Sequence, residues 1–206
     1  MFETIFKTEL ARFTADRILI DKLWAEVANY YNKRNRYYHT IHHLNHLSNE
    51  LVDIKYEIID WQIIVFSIAY HDSIYNALKQ DNEEKSANLA YERLSLINIS
   101  THRREKCKEQ ILATKGHYSS NDADTNYFTD ADLAILGSSY LNYKKYTEQI
   151  RKEYRMYPDL IYKPGRQKVL NHFLQMPTIY KTAYFIEKYE QQARNNILYE
   201  LKLLQE

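Results

Sequence analysis

Only three glycines and three prolines occur in 206 residues. A many-stranded β-sandwich needs such residues at each turn, so their scarcity argues against one and for an all-α protein. The same shortage of glycine excludes a Gly-rich phosphate loop and a dinucleotide fingerprint, whose backbones must approach the ligand closely. Any phosphate would have to be held by side chains, a metal or helix ends. The single cysteine, Cys107, permits neither an internal disulfide nor a thiolate zinc site, and it reads as an inert thiol on a helix in a reducing compartment. Net charge is nearly absent, with 28 basic residues against 27 acidic ones. No broad field therefore steers the chain toward a nucleic acid polymer or an anionic membrane, and a small-molecule partner fits better. Long apolar runs are missing as well. The longest, Ile63 to Tyr70, is far short of a bilayer span, and Glu3, Lys7 and Glu9 stand where a secretory apolar segment would lie. The expectation is a cytoplasmic protein with no membrane partner. No Pro, Gly or Ser-rich linker divides the chain, so residues 1–206 read as a single domain.

What the sequence does contain is helical periodicity. Apolar residues at Ile18, Leu19, Leu23, Trp24, Val27 and Tyr31 predict a core-facing helix from about Asp16 to Tyr31. A second helix is expected from near His39 through Leu51, with Leu44, Leu47 and Leu51 on one stripe. The segment from Glu57 to Tyr70 is apolar nearly all round toward its end and predicts a buried helix closed by His71 and Asp72. Asp81 and Glu84 have the spacing of a capping box opening a helix through Leu94. Further helices are expected over Thr101 to Thr114, Leu141 to Tyr157, Arg166 to Gln175 and Thr178 to Leu204, with breaks at Pro158, Pro164 and Pro177. Twenty tyrosines are spread from Tyr30 to Tyr199 without a fixed period, and most read as packing residues with the ring inward and the hydroxyl outward.

Histidine is concentrated. Four of the eight fall in the stretch from His39 to His46, and a fifth precedes an acid at His71-Asp72. On a regular helix positions 39, 42, 43 and 46 point within about 100° of one another. Imidazole nitrogens and carboxylate oxygens are the donors a divalent first-row cation takes, so the pattern predicts a metal site. Asp130 and Asp132 supply a further acidic signal downstream, and Asp130 alone reads more readily as a helix cap than as a ligand.

In chain order, Arg36-x-x-His39, His71-Asp72 and Ala131-Asp132-Leu133 resemble the signature of the HD-domain superfamily of metal-dependent phosphohydrolases. Asn82 to Ala87, Asp130 to Gly137, Ile150 to Tyr154, Gly165-Arg166 and Ala193 to Asn195 resemble a bacterial branch identified only as HD-superfamily hydrolases, over roughly residues 20–204. The resemblance implies a single-domain helical bundle in which His39, His71, Asp72 and Asp132 ligate one divalent ion (Mn²⁺, Fe²⁺, Co²⁺, Ni²⁺ or Mg²⁺), with His117 as a weaker addition. It also implies hydrolysis of a small phosphate ester, a nucleotide being the first class to test, by a metal-activated water. Within it, Glu83 is expected as general acid or base, with Asp72 completing the catalytic pair. His43, Arg36, Lys115, Arg151 and Arg166 are expected to contact the substrate, the cations because guanidinium and ammonium groups suit phosphate oxygens. Two rival readings are a di-iron oxygenase, which needs six or more protein ligands, and a metal-dependent binding module without turnover.

Overall fold

The structure, a computed structural model, describes residues 1–205. Among these there are ten α-helices, two short 3-10 segments and no strand, so the chain is all-α. It divides into two compact units, Met1–Thr129 and Asp130–Glu206.

The first unit is built around α4 (Trp61–Tyr70). Every residue of α4 except Gln62 is buried, as its nearly unbroken apolar sequence requires. Its start is pinned. The Asp60 side chain accepts from the Ile63 amide at 3.2 Å and pairs with Arg103 at 2.6 Å. The buried Asp124 carboxylate accepts from the Ile59 and Asp60 amides at 2.8 Å each. Around α4 pack α1 (Phe2–Leu10), α3 (Ile41–Val52), α5 (Asn82–Ser95) and α6 (Thr101–Ala113), and α2 (Arg17–Tyr31) packs on α1. The sequence reading assigned no helix to α1. Its Phe2 and Phe6 are nevertheless fully buried, with the Phe6 ring 6.0 Å from Phe66 and 6.2 Å from Tyr70. Each such ring contributes about 1.5–3 kcal/mol of burial.

Three sequence expectations are corrected here. Helix α3 begins at Ile41, because Thr40 is its N-cap and accepts from the His42 amide at 3.3 Å. His39 therefore lies in the preceding turn, off the helix face shared by His42, His43 and His46. At α5 the capping box does not form. Asp81 sits at the N-cap with ψ 22°, outside the extended conformation that aims a cap, and its carboxylate pairs with Lys85 at 2.7 Å while Glu84 pairs with Lys115. Finally, Pro164 does not break the chain. It lies inside α9 (Asp159–Gln175) on an exposed face, where water can serve the Leu160 carbonyl that loses its amide partner.

The second unit contains α8 (Tyr140–Glu153), α9 and α10 (Ala183–Leu203), with a 3-10 segment at Leu133–Gly137 packed on α10. Gly137 is required there, since a Cβ would come within 2.5 Å of the Tyr189 Cβ and 2.8 Å of its carbonyl oxygen. Asn196 ties the segment down by donating to the Leu136 and Ser138 carbonyls at 2.8 and 2.9 Å. A buried polar cluster joins α8, α9 and α10. Arg166 forks onto Glu200 at 2.8 and 3.0 Å, and the Tyr143 hydroxyl donates to the same carboxylate.

Candidate metal centre

His71 caps the C-terminus of α4 and is 1 % exposed, held because α4 is buried on all sides. Its Nδ1 lies 3.0 Å from the Ile68 carbonyl oxygen. A carbonyl only accepts, so Nδ1 carries the proton and Nε2 presents its lone pair. Other polar atoms gather about that nitrogen. His43 Nε2 lies 3.1 Å away, and Asp72 Oδ2 also lies 3.1 Å away. The same Asp72 oxygen is 3.7 Å from His39 Nε2 and 3.9 Å from His43 Nε2. These four residues reach one place from the turn before α3, the first turn of α3, and the end of α4.

The turn holding Asp72 is fixed by its neighbours. The Tyr31 hydroxyl accepts from the Asp72 amide at 3.1 Å. The buried Arg36 guanidinium donates to the His39 carbonyl at 3.2 Å and the Ser73 carbonyl at 2.9 Å, which clamps the His39 turn to the Asp72 turn. Its plane also lies over Tyr31 and Tyr75, at 4.9 and 5.3 Å from the ring centroids. Tyr75 in turn lies 4.4 Å from the His39 ring, and Tyr38 lies 4.9 Å from His43. Burial pushes the Asp72 carboxyl up, but in the metal-free protein the charge of protonated His71, His39 and His43 outweighs it and holds the group far below the usual carboxylate range.

Asp132 is the last residue of α7 (Ala123–Asp132), the unbroken helix whose Phe128 ring stands 5.8 Å from His71. His43 and His71 are buried, each presents a ring nitrogen beside the Asp72 carboxylate, and such a group can hold a metal ion; Asp132, the further ligand that the resemblance implies, belongs to the second unit.

The donor set fits a divalent cation. Two atoms each about 2.1 Å from one ion lie about 3.0 Å apart at a right angle and about 3.6 Å apart at 120°. Two of the observed separations, 3.1 and 3.1 Å, fall in that range, and the other two, 3.7 and 3.9 Å, lie just above it. A single proton on His71 Nε2 serves either Asp72 Oδ2 or His43 Nε2, each 3.1 Å away, but not both. One cation can take nitrogen and oxygen donors from all four residues together.

Each of the remaining expected site residues has surroundings of its own. Glu83, in the first turn of α5, is half-buried; burial, then the Asp72 charge, push its carboxyl above the ordinary value. Lys115 donates to the Gln80 carbonyl at 2.8 Å and pairs with Glu84. His117, three residues past the Thr114 C-cap of α6, has φ 52°, a left-handed conformation, and it is not in the convergent group. Arg151 pairs with Asp159 at 2.6 Å and donates to the Tyr154 and Tyr157 carbonyls, closing the turn between α8 and α9. Arg166 belongs to the Glu200 cluster already described. Asp130 is fully buried and caps α10 from a distance, accepting from the Lys181 amide at 3.0 Å and from the Thr182 amide and hydroxyl at 2.8 Å each. Sequence reasoning did not single out Tyr31 or Tyr75, because their role depends on contacts between elements far apart in the chain.

No family model, curated protein or solved structure matches the chain. Among the described residues, no helix is long and apolar enough to cross a membrane.

Proposed function

We propose that the chain is a metal-dependent phosphohydrolase of the HD type acting on a small phosphate ester, a nucleotide being the first class to test. The observation that carries the reading is the convergence, within the first unit, of the His39, His43 and His71 imidazoles on the Asp72 carboxylate, where His39, His71 and Asp72 are residues whose order resembles the HD signature. His39, His71, Asp72 and Asp132 are the ligands in this reading. A divalent cation held there lowers the pKa of a coordinated water and neutralises charge on a phosphoryl oxygen.

The chain's own residues do the rest. His71 is orientated by the Ile68 carbonyl, and Arg36 and Tyr31 keep the Asp72 carboxylate turned toward the imidazoles. Glu83 retains its proton to higher pH than an exposed carboxyl, which suits it to protonate the leaving oxygen. The tyrosine rings about His39 and His43 limit the access of water and offer a flat apolar wall to a substrate base or ring.

The test is metal analysis of protein purified without added metal, followed by a screen for phosphate release beside Asp72→Ala. The expected result is bound first-row metal and turnover in the wild type, with both lost in the variant. Metal binding with a ligand-induced rise in Tm but no product from a broad panel would instead support a binding module. Two irons per chain would support the oxygenase.

A further inference from the structure

We propose that His43 is a direct ligand rather than a substrate contact, and that the resulting three-imidazole set selects a borderline first-row dication over Mg²⁺. This inference rests on the metal-site reading above and deepens it. Four residues within the first unit carry it.

The His43 side chain is 2 % exposed, against 18 % for His39, so it is the more enclosed of these two. Its Nε2 lies as close to the His71 lone pair as Asp72 does, at 3.1 Å. A substrate-binding histidine should present a nitrogen to the open side of a site. His43 presents Nε2 to the other donors instead. Its place in the first turn of α3, directly after the Thr40 cap, fixes that direction through the helix itself, whereas His39 reaches the same carboxylate from a turn. With His39, His43 and His71 all contributing nitrogen, the set is imidazole-rich. Imidazole suits Fe²⁺, Co²⁺, Ni²⁺ and Zn²⁺, while Mg²⁺ favours oxygen donors and retains most of its water.

The probe is Co²⁺ itself, titrated calorimetrically into metal-stripped full-length protein and followed by its visible d–d bands. Wild type should bind Co²⁺, and a hundredfold excess of Mg²⁺ should not displace it. His43→Gln should weaken Co²⁺ binding by about 100-fold and shift the bands, since loss of even an outer-shell partner costs about 10–100-fold. His42→Gln, at the exposed neighbouring position, should change neither. X-ray absorption on the wild-type cobalt protein adds a readout that does not depend on the variant folding, with three imidazole scatterers expected. Two imidazoles, or His43→Gln with unchanged affinity and spectrum, would overturn the ligand assignment while leaving the metal site standing. Displacement of Co²⁺ by Mg²⁺ would overturn the selectivity. No Co²⁺ binding by the wild type would overturn the metal reading itself.

Discussion

Replacing Arg36 with alanine separates two roles that the same residue can be assigned. The sequence reading treats Arg36 as a phosphate-binding cation; the structure gives its guanidinium two backbone carbonyls, those of His39 and Ser73, at 3.2 and 2.9 Å. A hydrogen bond from a charged donor contributes about 1.5–3 kcal/mol, so loss of both costs about 3–5 kcal/mol after some relaxation and water entry. That is a large part of the roughly 5–15 kcal/mol of a typical domain, yet it leaves the variant folded at low temperature. Because the two carbonyls flank His39 and Asp72, Co²⁺ affinity should fall about 10–100-fold, as for other residues that orientate ligands. Arg36→Lys should recover only part of each loss, since an ammonium cannot span both carbonyls as a fork does. Urea unfolding and calorimetric Co²⁺ titration measure the two effects. The clamp is refuted if Arg36→Ala binds Co²⁺ as tightly as wild type, unfolds at the same urea concentration and changes only the KM for a phosphate ester.

Asp130→Ala removes the acceptor that caps α10 and leaves the buried Lys181 ammonium, now 3.3 Å from that carboxylate, without its counter-charge. Urea unfolding should show a loss of about 3–5 kcal/mol. Glu83→Gln should alter the pH dependence of stability in metal-free protein. The folded-state pKa of Glu83 is raised, so between the ordinary and the raised value the native state holds a proton that the unfolded chain releases, and stability falls as pH rises through that window. Glutamine removes that loss, giving a gain over wild type near neutral pH and none at a pH below both values; an equal gain at both would contradict the assignment. Cys107 is fully buried, and burial pushes its thiol up to about 12, so Ellman's reagent should react only as fast as the protein unfolds.

The all-α class and the burial of α4 were readable from composition and periodicity, because both depend on local sequence. So was the junction of His71 and Asp72 at the end of α4. The placement of His39 was misread, since its i, i+3, i+4 and i+7 relation to other histidines suggested one helix face. Thr40 was the signal available, being an N-cap residue directly before Ile41. Asp130 shows where local reading ends. Its character as a cap was legible, but the helix it caps begins more than fifty residues later, and only the folded chain brings them together. The roles of Arg36, Lys115, Arg151 and Arg166 were hidden for the same reason, because a cation in sequence carries no mark of which carbonyl or carboxylate will face it. His43 differs from its neighbours His42 and His46 only in burial, which follows from the direction of α3 against α4.

The most direct measurement is anomalous diffraction from a crystal grown with Mn²⁺, collected to locate the ion against the protein side chains. A single peak is expected about 2.1–2.4 Å from His71 Nε2 and from a carboxylate oxygen of Asp72. A map with no peak beside His71, from protein in which the imidazoles and Asp72 keep their present separations, would contradict the account.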